Sequence, residues 1–321
     1  MTNSTKSFGL AAAACALALA GCATETKPAR IAHAAPPAPS AAPRLATPVD
    51  RDLAVQASAF ESFMRNARGI DAQFAGPAEV SQALQTGAAH DPRELENGMI
   101  AYAALAALQE PRFVAAVRAE HDRGELARRL TADPRMALAL PGGDQAGARA
   151  SGALYAQGAA LSGEGEKVKR AAYSVQHQAW SKAPVSDPAG RLSRVKRISA
   201  DGYRPSREDP ARLQAALLEG PRRGGAPSPV VARGVALAAL SVLGEDGKAR
   251  SLMNEPRSGS CLRLAKLNLY QCLASAGPHY EDIYCLGEHA MIEPGQCVVD
   301  ATRATPAPAR RLPVTKASYR R

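Results

Sequence analysis

Four Asp-Pro dipeptides punctuate the chain, at Asp91-Pro92, Asp133-Pro134, Asp187-Pro188 and Asp209-Pro210. Each reads as a helix start. An aspartate accepts hydrogen bonds from the orphan N–H groups of a first turn, and proline suits the first helical position because its missing N–H is not needed there. At the first of them Glu94 stands where a capping-box residue reaches back to the cap. The apolar residues recur at helical spacing. Leu53, Ala57, Phe60, Met64 and Ala67 fall on one face. Residues 97–110 (NGMIAYAALAALQE) and 229–243 (PVVARGVALAALSVL) are too long and alanine-rich for strands. Gly244 stops the second of these, and Gly220-Pro221 stops a helix over 210–219. No segment alternates with the strand period. The expected fold class is all-α, a multi-helix bundle or irregular helical array, with a body over residues 50–300 large enough for two subdomains. Aromatic residues are only 4% of the chain, so the core must be built from alanine and leucine. YAALAALQE (102–110) and LAALSVLGE (237–245) resemble each other weakly, at a level that chance gives two alanine-rich segments.

The N-terminus reads as an address. Lys6 precedes an uncharged run of 13 residues, Phe8 to Ala20. That is short of the roughly 20 apolar residues needed to span a membrane and fits the apolar part of a secretory signal. Leu19-Ala20-Gly21-Cys22 follows, and it resembles the lipobox of bacterial lipoproteins. The resemblance implies that residues 1–21 are cut away and that Cys22 becomes N-terminal and carries acyl chains such as palmitate. Ala23 stands where inner-membrane lipoproteins often have Asp, which implies the outer membrane, facing the periplasm. Residues 22–49 then form a tether. Pro28, Pro36, Pro37, Pro39, Pro43 and Pro48 exclude a helix interior and favour an extended spacer.

That address sets the chemistry of the cysteines. Cys15 leaves with the signal and Cys22 takes lipid, so Cys261, Cys272, Cys285 and Cys297 remain in an oxidising compartment, where an even set reads as disulfides. Residues 260–276 look helical, with Leu262, Ala265, Leu269 and Leu273 as the stripe. Cys261 and Cys272 are then about 16 Å apart at 1.5 Å rise per residue, too far to bond each other. Gly277-Pro278 turns the chain, and antiparallel arms would juxtapose Cys272 with Cys285 and Cys261 with Cys297. Nested bridges across a hairpin over 260–298 are expected, with the crossed pairing of 261 to 285 and 272 to 297 as the alternative. Pro294-Gly295 predicts that the second arm is not helical throughout. The gaps do not match the close cysteine pairs of structural zinc sites, so no metal is expected, and no cofactor.

No catalytic residue is assigned. His279, Glu281, Asp282, Glu288, His289 and Glu293 lie on the turn and second arm and read as polar residues of a solvated hairpin. Phe60-Glu61-Ser62-Phe63 resembles the Glu-Ser pair of lytic transglycosylases, whose glutamate is the catalytic acid. The following residues, MRNARGIDAQFAG, lack the Gly-Leu-Met-Gln-like segment of that family, and Glu61 is expected on the polar side of its helix. There is no G-x-S-x-G elbow, and GEGEK at 163–167 lacks the phosphate-loop spacing.

The net charge is +10 and uneven. Residues 165–207 hold ten Lys/Arg against three acids, with Trp180 inside the stretch. The tail, 301–321, holds six Lys/Arg, no acid and several prolines, and reads as disordered. Such charge suits anionic partners, which in an envelope compartment are phospholipid, lipopolysaccharide phosphates, peptidoglycan carboxylates or an acidic protein, not nucleic acid. The expectation is a non-enzymatic periplasmic lipoprotein, anchored to the membrane through its lipid, acting as a scaffold or assembly partner for an envelope protein or anionic polymer. A peptidoglycan-active enzyme and a cell-surface or secretion-apparatus component are the alternatives.

Overall fold

The computed structural model describes residues 50–219 and 227–304. The signal, Cys22, the proline-rich tether, the Gly220-Pro221 stop and the tail beyond Ala304 lie outside the described residues. Those described are helical, with no strand among them; extended backbone pairs between Pro184 and Pro278, where Val185 N donates to Gly277 O at 2.9 Å.

Proline opens most of the helices. α1 (Arg51–Arg68) is capped by Asp50 and buries the face read from its spacing. α2 (Pro77–Ala88) and α3 (Pro92–Ala107) follow. Asp91 caps α3 by accepting from Arg93 N and Glu94 N, but Glu94 does not close a capping box. Its two oxygens accept from Tyr203 N at 3.0 Å each, so a tertiary partner wins over the local one. α4 (Pro111–Arg118) and α5 (Arg123–Ala132) are short, and Asp133-Pro134 starts only a 3₁₀ turn, Pro134–Ala139. α6 (Gly143–Val175) runs for 33 residues, about 50 Å at 1.5 Å per residue. α7 (Ala179–Lys182), α8 (Pro188–Ala200, capped by Asp187), α9 (Asp209–Glu219) and α10 (Pro229–Leu243) complete the middle of the chain. Gly244, at φ 75°, ends α10 in the left-handed conformation that glycine favours. A second 3₁₀ turn, Asp246–Leu252, leads to α11 (Pro256–Ser275).

α3 and α10 form the centre and are apolar on nearly every side, as helices without a solvent face must be. They pack on each other and on α6, and α1 covers α3. A Cβ on Gly234 of α10 would stand 2.6 Å from Ala103 Cβ, so alanine and glycine let the two approach closely. The weakly similar segments 102–110 and 237–245 lie largely in these two helices. Their shared burial accounts for the likeness.

The sequence gives no warning of α6, because six of its 33 residues are glycine and each costs about 1 kcal/mol against alanine in a helix interior. Packing against the C-terminal hairpin overrides that cost. A Cβ on Gly158 would lie 2.6 Å from Gly295 O, and one on Gly287 would lie 2.5 Å from Lys169 N. Gly163, from the stretch read only as a failed phosphate loop, is inside this helix with nothing within 4 Å of its Cβ position.

The hairpin's second arm is α12 (His279–Cys285), a π-helical segment (Leu286–Ile292) and α13 (Glu293–Asp300). The disulfides are nested, Cys261–Cys297 and Cys272–Cys285, each with Cα atoms 5.7 Å apart. Two expectations are corrected. The arm is helical straight through Pro294-Gly295, because the π segment widens the turn before it and Glu293 N bonds back to Glu288 O. Nor is the arm a solvated hairpin. It lies against α6 and buries Ile283, Leu286, Met291 and Val298.

Candidate functional site

The buried face of α1 points to α3, which leaves Ser62, Arg65 and Asn66 on its outer side. Together with Gln82, Gln85 and Thr86 of α2 and the turn at Tyr203, they line a cleft of about 920 Å³. Asn66, Gly69, Gln82 and Thr86 also line an adjoining hollow of about 320 Å³. That hollow in turn shares Asp71, Gln73, Phe74 and Glu79 with an open cleft of about 930 Å³ bounded by Arg170 and Trp180. The three hollows, linked through these shared walls, are together called the groove. His90 and Arg204 stand at one end, amides run through its middle, and Trp180 stands at the other. The half-buried Trp180 contributes a groove wall while its indole N–H bonds to Gln178 Oε1.

Behind the first cleft lies a charged network. Glu61 is 2% exposed, which corrects its expected place on the polar side of α1. Arg65 Nε donates to Glu61 Oε1 at 3.0 Å, and its Nη2 stands 3.6 Å from Asp209 Oδ1. Asp209 does not cap α9. It accepts from Tyr203 Oη at 2.5 Å and from Ser206 N at 2.7 Å, and so fastens the 201–208 turn to α1. Burial pushes its carboxyl up, but these two hydrogen bonds and the Arg65 charge outweigh burial and hold it below the ordinary range. Burial and the bond to Asp209 push the Tyr203 phenol up. Glu61 is thus committed to an arginine, and its carboxylate is not among the groove-lining groups.

At the cleft's inner wall is a second buried group that sequence reasoning missed. Lys266 of α11 is 4% exposed. Its Nζ lies 2.9 Å from Ala88 O, 3.2 Å from Ser199 Oγ and 3.3 Å from His90 Nδ1, three acceptors for the three N–H groups of an ammonium. Burial lowers its pKa to about 7, and Asp91 opposes that fall. His90 lies against Phe63, ring centroids 4.1 Å apart, and lines the groove. Burial first, and the Lys266 charge second, push its pKa well below the ordinary histidine value, so the ring is neutral. With Nδ1 accepting from Lys266, the ring proton belongs on Nε2. That atom meets no partner among the described residues. The signal was present in the α11 stripe. Lys266 stands between Ala265 and Leu269 on the face read as apolar.

The hairpin's carboxylates are engaged within it or with the helices beside it. Asp282, 2% exposed, pairs with Arg191, whose other amino group donates to Leu273 O and Ala276 O at the end of α11. Burial raises the Asp282 pKa to about 6 against the opposing Arg191 charge. Glu288 pairs with Lys169 at 2.6 Å, Glu293 accepts from Asn268 Nδ2 at 3.1 Å with His289 Nδ1 3.0 Å away, and Glu281 accepts from Gly277 N at 2.8 Å. Burial lowers the pKa of the half-buried His279. No group of three or more His, Cys, Asp or Glu that could hold a metal occurs among the described residues. The basic stretch 165–207 is partly neutralised: Lys167, Arg170 and Arg194 pair with Glu164, Glu166 and Asp187 in addition to the two pairs above. No described helix is long and apolar enough to cross a membrane. Compared with protein-family models, curated proteins and solved structures, the chain shows no match.

Proposed function

We propose that this chain is a non-enzymatic lipoprotein of the cell envelope, anchored through Cys22 to the outer membrane on its periplasmic side. Its groove would hold an extended, carboxylate-bearing envelope polymer, so that the protein acts as a scaffold. The observation that carries the reading is the groove itself. It is long and open, with side-chain amides of Asn66, Gln73, Gln82 and Gln85 along it, arginines at both ends and an indole at one. Amides match N-acetyl and peptide groups, arginines match carboxylates, and an indole offers an apolar face to a sugar ring or peptide. A peptidoglycan strand with its stem peptides has all three features. The groove is expected to bind rather than react, because Arg65 and Glu94 at its rim are held by structural partners.

Co-sedimentation of the purified full chain with isolated sacculi tests the reading, alongside crosslinking in the envelope. Sacculus binding that falls on Arg204→Ala or Trp180→Ala is expected. A protein that stays in the supernatant, or crosslinks nothing from the envelope, overturns it. The enzymatic alternative keeps one observation in its favour, since Glu61 sits directly behind the groove wall formed by Arg65. Muropeptide release that disappears in Glu61→Gln would replace the scaffold with a peptidoglycan-cleaving enzyme.

A further inference from the structure

We propose that His90 Nε2–H is the donor that fixes a carboxylate of the groove-bound ligand, and that Lys266 is the positioning residue that holds the imidazole in that donor form. The inference rests on the reading of the groove as a polymer-binding site and names the contact that would read the polymer's charge.

A buried imidazole N–H without an acceptor is unusual, because buried polar groups in folded proteins nearly always find a partner. His90 is 6% exposed, and its Nε2 has none among the described residues. The opposite edge of the ring is committed to Lys266 Nζ, so the tautomer is fixed by a neighbour rather than chosen by solvent. The arrangement is a second residue setting which ring nitrogen carries the proton. No carboxylate touches Lys266, whose three neighbours are a carbonyl, a hydroxyl and the imidazole. Asp91 accepts from the amides of Arg93 and Glu94, and Glu94, which lines the same cleft, accepts from Tyr203 N, so both carboxylates are held in place with their charge intact. Arg204 lines the same cleft. A ligand carboxylate at Nε2 would satisfy the orphan donor, and below about pH 7 it would face the protonated Lys266 through the ring. Nε2 is covered, so a ligand reaches it only after a side chain of the cleft shifts; Gln85, exposed and bonded to Ser81 of its own helix, lines the same cleft.

The test uses titration calorimetry on the full chain with two probes, an N-acetylmuramyl dipeptide with free carboxylates and its fully methyl-esterified form. His90→Phe keeps a ring against Phe63 and removes the donor. Wild type is expected to bind the free acid at least about tenfold more tightly than the ester, the range of a hydrogen bond to a charged group. His90→Phe should lose that preference, weakening the acid several-fold more than the ester, whose carbonyl is the poorer acceptor, and His90→Gln, whose amide can donate, should restore part of it. Lys266→Met should lose the preference as well. The proposal is overturned if His90→Phe keeps the preference, or if it weakens acid and ester equally, the mark of a merely structural histidine. Sacculus binding separates the two levels. Wild type that binds sacculi with no dependence on His90 leaves the groove reading standing and removes this contact; wild type that binds neither sacculi nor probe removes both.

Discussion

Where α6 meets the C-terminal hairpin, backbone lies on backbone. Gly158 faces Gly295, Gly287 faces Lys169, and two disulfides tie the hairpin's arms together. Where α1 and α2 meet the start of α3, the wall is instead made of buried charges and one orphan donor: Glu61, Asp209, Lys266 and His90. Both regions exclude water. At its glycines the seam does so by backbone contact too close for a Cβ, and the groove wall does so with polar groups most of whose desolvation is offset by specific partners. A protein that needed only stability would not carry the second kind, because apolar side chains of the same volume are often as good or better. The contrast fits the proposal that the seam supports the fold and the groove holds a ligand.

The comparison breaks if the seam proves soft. Replacing Cys261 and Cys297 by Ser opens a loop of 36 residues, and the loop-entropy relation gives a loss of about 4 kcal/mol in urea unfolding. Replacing Cys272 and Cys285 opens one of 13, for about 3 kcal/mol. Neither pair should alter probe binding in the groove if the two regions are separate. Gly158→Ala places a methyl against Gly295 O and should cost about 2 kcal/mol by overpacking, measured by the same unfolding titration.

An effect of similar size sharpens the groove side. Lys266 has a pKa of about 7 in the folded chain, against about 10.4 when unfolded. Between those values the unfolded chain binds a proton that the folded one does not, so stability rises with pH from about 7 towards 10, by at most ~1.4 kcal/mol per unit. Besides Asp91, the charged or titratable neighbours are His90 and Tyr270. His90 is pushed down by burial and titrates below that window, and Tyr270, pushed up by burial, titrates above it. Unfolding of wild type at pH 7 and pH 9 should therefore differ, and the difference should shrink in Lys266→Met. An unchanged difference would mean that Lys266 is hydrated rather than buried. The smallest effect has the opposite sign. Gly163→Ala, in the same helix as Gly158 but with nothing within 4 Å, should stabilise by about 0.5–1 kcal/mol.

Local signals were legible in the sequence. Proline and aspartate mark helix starts because capping is settled within one turn, so α3 and α8 begin where read. Helix rise excluded a bond between Cys261 and Cys272, the turn at Gly277-Pro278 and the spacing of the arms favoured the nested pairing over the crossed one, and the nested pairing is found. What needed partners from far along the chain was not legible. Asp209 looks like a cap but answers to Tyr203 and Arg65, and Glu94 looks like a capping-box residue but answers to the Tyr203 amide. α6 hid behind glycines whose purpose lies on another helix. The groove joins α1, α2 and the 201–208 turn with the end of α6, and no single stretch announces it.

The turn between the hairpin arms has a consequence for wear. Gly277 is exposed, at the point where α11 ends and α12 is about to begin. A protease cut there would sever the chain, yet Cys272–Cys285 and Cys261–Cys297 both bridge the break. The nicked molecule would run as one band on a non-reducing gel and as two once reduced, with its last helices still clasped to α6.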